Sequence, residues 1–238
     1  MDFKNLNWDK NDLENFYKFL LTYKEGSNRI ERSKTIVNTS MPILGIYMKE
    51  INEVAKLIMS SNYNKYLENI NFKYYEETLI YGKVLNKIKD ENLFFKYLDN
   101  FVLTIDNWST VDNIKFNNMY KKNKKMLFEV ALKYLNFKEP FVRRTAILIL
   151  FNYINDEVYE KEIFKILDSL KDEEHYYVNM AASWLLCELF IKSKTNTLKY
   201  YENNQTNKFV INKSISKCRD SFRVSNEDKE KLLKFKVV

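Results

Sequence analysis

Apolar residues recur at helical spacing along most of the chain. From Asn11 to Tyr23 they lie three or four residues apart, at Leu13, Phe16, Phe19, Leu20 and Tyr23. This spacing predicts an amphipathic helix. The same pattern predicts helices from Asn28 to Val37 and from Met48 to Met59. Between them the stretch NTSMPILGI at 38–46 contains a proline and a glycine, and we expect it to be a loop.

Beyond residue 74 the pattern becomes regular. Pairs of helices are predicted to start at intervals of roughly 33 residues, a period typical of helical-hairpin repeats, near Tyr74, Asn107, Pro140 and Glu173. A final helix is expected from Ser225 to Lys234. Antiparallel helices with short connections stack into a solenoid. We therefore predict an all-α fold, an α-solenoid of HEAT-like helical-hairpin repeats that forms a single domain over residues 1–238.

The composition supports a helical protein without a metal. Glycine occurs only 3 times and proline 2 times, whereas folds rich in β-turns generally need more of both. The chain has two cysteines, Cys187 and Cys218, and one histidine, His175, in no zinc-binding pattern. We expect free thiols, no metal and no cofactor. The longest apolar run, AILILF at 146–151, is too short to span a membrane, and no signal segment is visible. A cytoplasmic protein without membrane contact is expected.

Positive charge is concentrated near the end of the chain. The net charge is +7, and residues 207–238 hold nine Lys or Arg against four Asp or Glu, a local +5 (9 − 4). A second basic run, KKNKK, occupies 121–125. A basic cluster is predicted on one helix, formed by Lys213, Lys217, Arg219 and Arg223. It is either a solvated face or a set of contacts to phosphates.

The stretch DNWSTVDNI at 106–114 places an aromatic residue one helical turn before a carboxylate. At about 100° per residue, Trp108, Asp112 and Lys115 fall on one face of a helix, while the apolar residues Val111 and Ile114 face the core. Such a pair suits a flat or positively charged ligand. The alternative is a half-buried packing residue beside a solvated carboxylate.

Two features of the second half also allow two interpretations. Arg143 and Arg144 lie near the start of an apolar helix, where cations oppose the helix dipole. They are either solvated or placed to bind an external anion such as phosphate. Trp184 follows the small residues of YYVNMAASWLLCEL at 176–189. It is either a core residue or part of a surface that a ligand approaches closely.

Five segments, taken together and in this order, resemble the AlkD-like family of DNA alkylation repair proteins, which are HEAT-like-repeat DNA glycosylases. The segments are IVNTSMPILGIYMKEINEVAKLI (36–58), IDNWSTVDNI (105–114), FVRRTAILILFNYI (141–154), YYVNMAASWLLCELFIK (176–192) and INKSISKCRDSFRVSNEDKEKL (211–232). The resemblance implies the solenoid, with duplex DNA bound along a basic concave face. It also implies a monofunctional glycosylase that hydrolyses the N-glycosidic bond of N3- and N7-alkylated purines.

The resemblance assigns roles to individual residues. The family's W-x-x-x-D pattern falls on Trp108 and Asp112, and its helix tryptophan on Trp184. Asp112 is expected to stabilise the oxocarbenium-like sugar and to position water, with the two tryptophans flanking the deoxyribose. Phosphate contacts are expected from the arginine of the RRTAIL motif and the other basic candidates, namely Arg144, Arg143, Lys213, Lys217, Arg219 and Arg223.

One departure keeps other functions open. Active members of the family carry a tyrosine eight residues before the LGI motif, where this chain has Ile36. This favours a non-catalytic paralogue that binds damaged or branched DNA, whereas the presence of Asp112 favours the enzyme. A protein-interaction scaffold is the third possibility for a HEAT-like solenoid. A monomer is expected in each case.

Overall fold

Helices form the secondary structure throughout the computed structural model, which describes residues 1–237. Within that range there are fourteen α-helices, three short 3-10 turns and no β-strand. The predicted all-α class is confirmed. None of these helices is long and apolar enough to cross a membrane. Among the same residues, no group of three or more His, Cys, Asp or Glu side chains is arranged to hold a metal ion.

The contacts divide the chain into two compact units, Met1–Asn118 and Met119–Val238. The N-terminal unit contains α1 (Lys10–Leu21), α2 (Ser27–Val37), α3 (Met48–Met59), α4 (Tyr63–Asn69), α5 (Tyr75–Leu85), α6 (Glu91–Phe101) and α7 (Trp108–Asp112). A 3-10 turn at Val102–Thr104 follows α6.

From its third residue onward, α8 (Asn117–Leu135) belongs to the C-terminal unit. The remaining helices are α9 (Pro140–Leu150), α10 (Glu157–Ser169), α11 (Tyr176–Lys192), α12 (Lys194–Asn203), α13 (Lys208–Asp220) and α14 (Asn226–Leu232). Further 3-10 turns occupy Phe151–Tyr153 and Leu233–Phe235. The backbone of α8 leaves the helical region at Asn123, inside the basic run 121–125.

The predicted helical pairs are present. The helices α5, α7, α9 and α11 begin within three positions of the predicted starts, and each is followed along the chain by a second helix. Pro140 begins α9 as expected. The structure adds the seven-residue α4, which was not predicted. The predicted final helix is confirmed as α14 with the 3-10 turn that follows it, and the helix predicted for the basic cluster is α13. The solenoid, its concave face and the single domain remain predictions.

Within each unit, alternate helices along the chain pack on one another. In the N-terminal unit α3 packs on α5, and α5 on α7; in the C-terminal unit α9 packs on α11, and α11 on α13. The apolar helix α11 is buried on nearly all sides, and Cys187 on it and Cys218 on α13 are buried free thiols. These packed helices carry the candidate site residues Trp108, Asp112, Arg144 and Trp184.

Candidate functional site

The short helix α7 is fixed at both ends by asparagine side chains. Asn107 caps its start by accepting a hydrogen bond from the Thr110 N–H at 2.9 Å. Asn113 ends it and donates from its amide to the Ser109 carbonyl at 2.8 Å. The helix therefore stops before Lys115, which is exposed beyond it. The prediction that Lys115 shares a helical face with Trp108 and Asp112 is wrong, because the side chain of Asn86, the residue that follows α5, accepts a hydrogen bond from the Lys115 N–H at 2.7 Å.

Buried hydroxyl groups attach α7 to α5. Thr110 and Thr78 share a hydrogen bond of 2.7 Å between their hydroxyls. Ser109 and Tyr75 share another of the same length. The predicted core residues of this segment, Val111 and Ile114, are buried. With this side of α7 held against α5, Trp108 and Asp112 remain partly exposed.

Trp108 is anchored through the edge of its ring. Its indole N–H donates to the backbone carbonyl of Ile36 at 3.0 Å. Ile36 lies in the last turn of α2, and its own side chain is exposed. The structure therefore places Ile36, the position where this chain departs from active family members, directly beside the tryptophan of the W-x-x-x-D pattern.

Sequence reasoning missed Asp106, which ties the loop after α2 to the start of α7. Its carboxylate accepts hydrogen bonds from the Thr39 hydroxyl at 2.7 Å, the Ser40 N–H at 2.7 Å and the Asn107 amide at 3.0 Å. Burial raises the pKa of Asp106, but these hydrogen bonds outweigh it and the pKa is lowered. Because Ile36 precedes this loop, the anchored carboxylate also steadies the backbone that holds Trp108.

Trp184 is the one residue of α11 in its central turns that reaches solvent. It is 40% exposed, although its neighbours Ser183 and Leu185 are fully buried. Its ring packs at an angle on Phe151, with 4.6 Å between the ring centroids. The alternative that Trp184 is a core residue is therefore wrong. The indole is thus supported by Phe151 and partly accessible to solvent.

The two arginines of α9 are not solvated, contrary to one of the two interpretations. Arg143 forms a paired ion contact with Glu173, at 2.6 Å and 3.0 Å, and donates to the carbonyls of Phe137 and Lys138. Burial raises the pKa of Glu173, but the hydrogen bond and charge of Arg143 outweigh it and lower the pKa. A phosphate contact by Arg143 would have to break this pair, so its role as a phosphate ligand stays a prediction.

Arg144 is buried more deeply than its neighbour. It is only 5% exposed and donates to the Tyr177 carbonyl on α11 at 2.5 Å. A guanidinium carries its positive charge in proteins whether it is exposed or buried. Arg144 therefore adds positive potential to the face of the C-terminal unit formed by α9, α11 and α13.

The predicted basic cluster is divided between a helix and a turn. Lys213, Lys217 and Arg219 lie on α13, but the helix ends at Asp220. Arg223 lies in the turn that follows, where Glu188 of α11 holds its guanidinium through both carboxylate oxygens. The prediction of a single helix for all four is wrong, because Ser221 already has an extended backbone.

The positive charges of the basic cluster repel one another. The pKa of Lys217 is lowered, first by burial and then by the positive charges of Lys213 and Arg144. Mutual repulsion among neighbouring cations is relieved when an anion binds between them. The C-terminal unit thus presents a surface suited to phosphate.

The comparison with family models gives one match. Residues 20–217 match the model of a family described as DNA alkylation repair enzyme. No curated protein matches the chain. The matched segment contains Trp108, Asp112, Arg144 and Trp184, whereas Arg219 and Arg223 lie just beyond it.

Proposed function

Since this chain belongs to the DNA alkylation repair enzyme family, we propose that it is a monofunctional DNA glycosylase that releases N3- and N7-alkylated purines from duplex DNA. The observation that supports this most is the arrangement of α7. Its hydroxyl side chains and apolar residues bind α5, while Trp108 and Asp112 stay partly accessible one turn apart. An aromatic face and a carboxylate are what a sugar with developing positive charge requires.

The reaction needs little acid catalysis. Alkylation at N3 or N7 leaves the purine cationic, so the base departs as a neutral molecule when it takes the electron pair of the N-glycosidic bond. The positive charge then moves to the deoxyribose. Asp112 stabilises this charge and orients a water that adds to C1′, and the water proton passes to the carboxylate or to solvent. A fixed electrostatic group of this kind typically contributes about 10²–10³-fold in rate.

Each of the two tryptophans offers an aromatic face on its own unit. A cation held over an aromatic ring gains roughly 0.5–2 kcal/mol. The indole of Trp108 is oriented by its hydrogen bond to the Ile36 carbonyl. That of Trp184 is supported from behind by Phe151. Both rings are held before substrate arrives, so little conformational entropy is lost on binding.

Phosphate binding belongs to the C-terminal unit. Lys213 and Arg219 are exposed on α13, and Lys217 is partly exposed between them. These three are the direct phosphate ligands in this proposal. Arg144 adds positive charge from its buried position. Arg143 and Arg223 act first as structural ion pairs, because Glu173 already holds Arg143 and Glu188 already holds Arg223.

The test is base release from methylated duplex DNA by the wild-type protein and by Asp112→Asn. We expect the wild type to free 7-methylguanine or 3-methyladenine, and the variant to be slower by a factor on the order of 10²–10³. The matched control is Asp172→Asn, an exposed aspartate after α10 in the other unit, which should keep the wild-type rate. Equal rates for Asp112→Asn and the wild type would refute the role of Asp112.

A second function is supported by Ile36. The residue whose carbonyl holds the Trp108 indole is an isoleucine, at the position where the resemblance expects a tyrosine in active members of the family. If the wild type frees no base but binds duplex DNA in a salt-dependent way, the protein is a non-catalytic reader of damaged or branched DNA. If it binds no DNA and its partner contacts do not weaken with salt, it is a protein-interaction scaffold.

A further inference from the structure

The helix α2 is held in its unit mainly by polar contacts. Of the eleven residues of α2, all of them within the described range, only Val37 is buried. The start of the helix is fixed by Arg29, which donates to the Gly45 carbonyl and lies over the ring of Tyr47. A helix that buries so little apolar surface gains little from packing. The position of its other end therefore depends on hydrogen bonds.

The end of α2 is joined to α7 by Trp108. The last four carbonyls of a helix have no partner N–H within it, and the carbonyl of Ile36 is one of them. The indole N–H of Trp108 donates to this carbonyl at 3.0 Å. The orientation of the indole therefore follows the position of the last turn of α2.

Asp106 fixes the backbone that follows this turn. Asn38 ends α2 with a left-handed backbone, at a φ of 55°, a conformation that asparagine tolerates at helix ends. The Asp106 carboxylate then accepts hydrogen bonds from the hydroxyls of Thr39 and Ser40, both at 2.7 Å, and from the Ser40 N–H at 2.7 Å. The segment after α2 is therefore held by the residue two positions before Trp108.

These contacts are strong because the carboxylate is charged. Burial raises the pKa of Asp106, but the hydrogen bonds from Asn107, Ser40 and Thr39 outweigh burial and lower it. A hydrogen bond to a charged acceptor is roughly twice as strong as one between neutral groups. A neutral side chain at position 106 would hold the loop less firmly.

We propose that Asp106 is a positioning residue for base release. By fixing the loop after α2, it holds the Ile36 carbonyl where the Trp108 indole bonds to it, and so keeps the indole in the orientation that the proposed sugar contact requires. This inference rests on the proposed function, because Trp108 affects a rate only if the protein releases bases. The Asp106 oxygens are already engaged by groups of the protein, so Asp106 acts through Trp108 and does not touch the substrate.

The first measurement follows the indole N–H groups by NMR. The chain has 3 tryptophans, so isotopic labelling of tryptophan gives one indole resonance for each, and Trp108→Phe and Trp184→Phe assign them. In Asp106→Ala we expect the Trp108 indole proton to lose its protection from exchange with solvent. Asp106→Asn keeps one oxygen and should recover part of this protection. The Trp8 resonance should not move, because that indole is buried and donates to Ser61 at 3.0 Å.

The second measurement is the single-turnover rate of base release from methylated duplex DNA. We expect Asp106→Ala to be slower by about tenfold, within the range that one aromatic contact to a positive charge supplies. In Trp108→Phe, which keeps a ring but has no N–H to donate, Asp106→Ala should slow the reaction no further. Such non-additivity is expected of two residues that act through one contact. A general loss of stability would slow both backgrounds alike.

The matched control is Asp90→Ala in the same unit. Asp90 caps the start of α6 by accepting the Leu93 N–H at 2.9 Å, so this variant also loses a carboxylate that holds a backbone N–H. Its indole resonances and its rate of base release should equal those of the wild type. Thermal unfolding of Asp90→Ala and Asp106→Ala shows that both variants are folded and compares their losses of stability.

The outcomes separate the positioning role from the function on which it rests. If the Trp108 indole is protected equally in the wild type and in Asp106→Ala, the proposal is overturned and base release stands. If protection is lost but the rate is unchanged, Asp106 holds the indole without serving the reaction, and the proposal is overturned as well. If the wild type frees no base, the proposed function fails and the role of Asp106 in a rate fails with it, while the indole signal still reports whether Asp106 holds Trp108.

Discussion

Burial strongly opposes the charge of the Glu77 carboxyl group. One of its oxygens accepts the backbone N–H groups of Lys73 and Tyr74, at 2.6 Å and 2.8 Å, and so caps the start of α5. The other oxygen is buried without a hydrogen-bond partner among the described atoms. Burial raises the pKa of Glu77 to about 7, against the lowering effect of its backbone hydrogen bonds. Its protonation is therefore coupled to folding.

This coupling predicts a loss of stability as pH rises. Between the ordinary glutamate pKa of 4.5 and the raised value of about 7, the folded protein keeps the Glu77 proton while the unfolded chain has lost it. The stabilisation that protonated Glu77 contributes is complete below pH 4.5. The free energy of unfolding falls by about 3 kcal/mol as the pH rises through 7. Glu77→Gln keeps an oxygen for the cap and cannot titrate, so its stability should depend less on pH. Urea unfolding at about pH 5 and about pH 8 compares the two proteins. Equal pH dependence would contradict the assignment.

At the scale of elements, the loop from residue 38 to residue 46 depends on one glycine and one carboxylate. Glu76 on α5 is buried and accepts hydrogen bonds from the backbone N–H groups of Leu44, Gly45 and Ile46, at 2.6–3.3 Å. Gly45 has a φ of +79°, and a Cβ there would lie 3.1 Å from the Cβ of Glu25. Residue 45 adopts this backbone without strain, and without a close contact to Glu25, because it has no side chain.

Gly45→Ala should therefore destabilise the protein by about 1–3 kcal/mol, from the left-handed backbone and the contact with Glu25. Gly26→Ala is the matched control, because Gly26 has a φ of −66° and nothing lies within 4 Å of an added Cβ. The control should change the free energy of unfolding by less than about 0.5 kcal/mol. Chemical denaturation measures both variants. A loss in the control equal to that in Gly45→Ala would show that strain at Gly45 is not the cause.

The helices that were predicted correctly are those that are determined by residues close together in the sequence. The apolar spacing from Met48 to Met59 gave α3 with both of its ends, and Pro140 marked the start of α9. The seven-residue α4 contains only two buried side chains, too few to show a period. The early end of α7 depends on Asn86, which lies 29 residues before the N–H that it captures. Contacts between residues that are this far apart along the chain produce no periodic pattern in the sequence.

The same distinction holds for the candidate site. The W-x-x-x-D spacing of Trp108 and Asp112 is local, and it was found. The ion pair of Arg143 joins residues 30 apart, and that of Arg223 joins residues 35 apart. Charge alone grouped these arginines with the exposed lysines of α13. Only the tertiary packing shows that glutamates already hold them.

At the scale of the molecule, the candidate residues are distributed over both units. Trp108 and Asp112 belong to the N-terminal unit, and Arg144, Trp184 and the basic residues of α13 belong to the C-terminal unit. The family match extends through both. The proposed catalytic carboxylate lies in the N-terminal unit, and the proposed phosphate contacts lie in the C-terminal unit. Substitutions of the basic residues of α13 should then alter DNA affinity and leave the Asp112 carboxylate in place.

Lys213→Ala and Lys217→Ala test this division through salt. Each phosphate contact releases counterions, so the logarithm of the association constant falls with the logarithm of salt concentration by about 0.9 per contact. Each substitution should weaken binding to duplex DNA and make that slope shallower by about this amount. Lys165→Ala is the matched control, because Lys165 is exposed on α10 and paired with Glu162. Fluorescence anisotropy from about 50 mM to about 200 mM salt gives the slopes. If all three variants keep the wild-type slope, α13 does not contact phosphates, and the positive charge of the C-terminal unit serves another purpose than holding DNA.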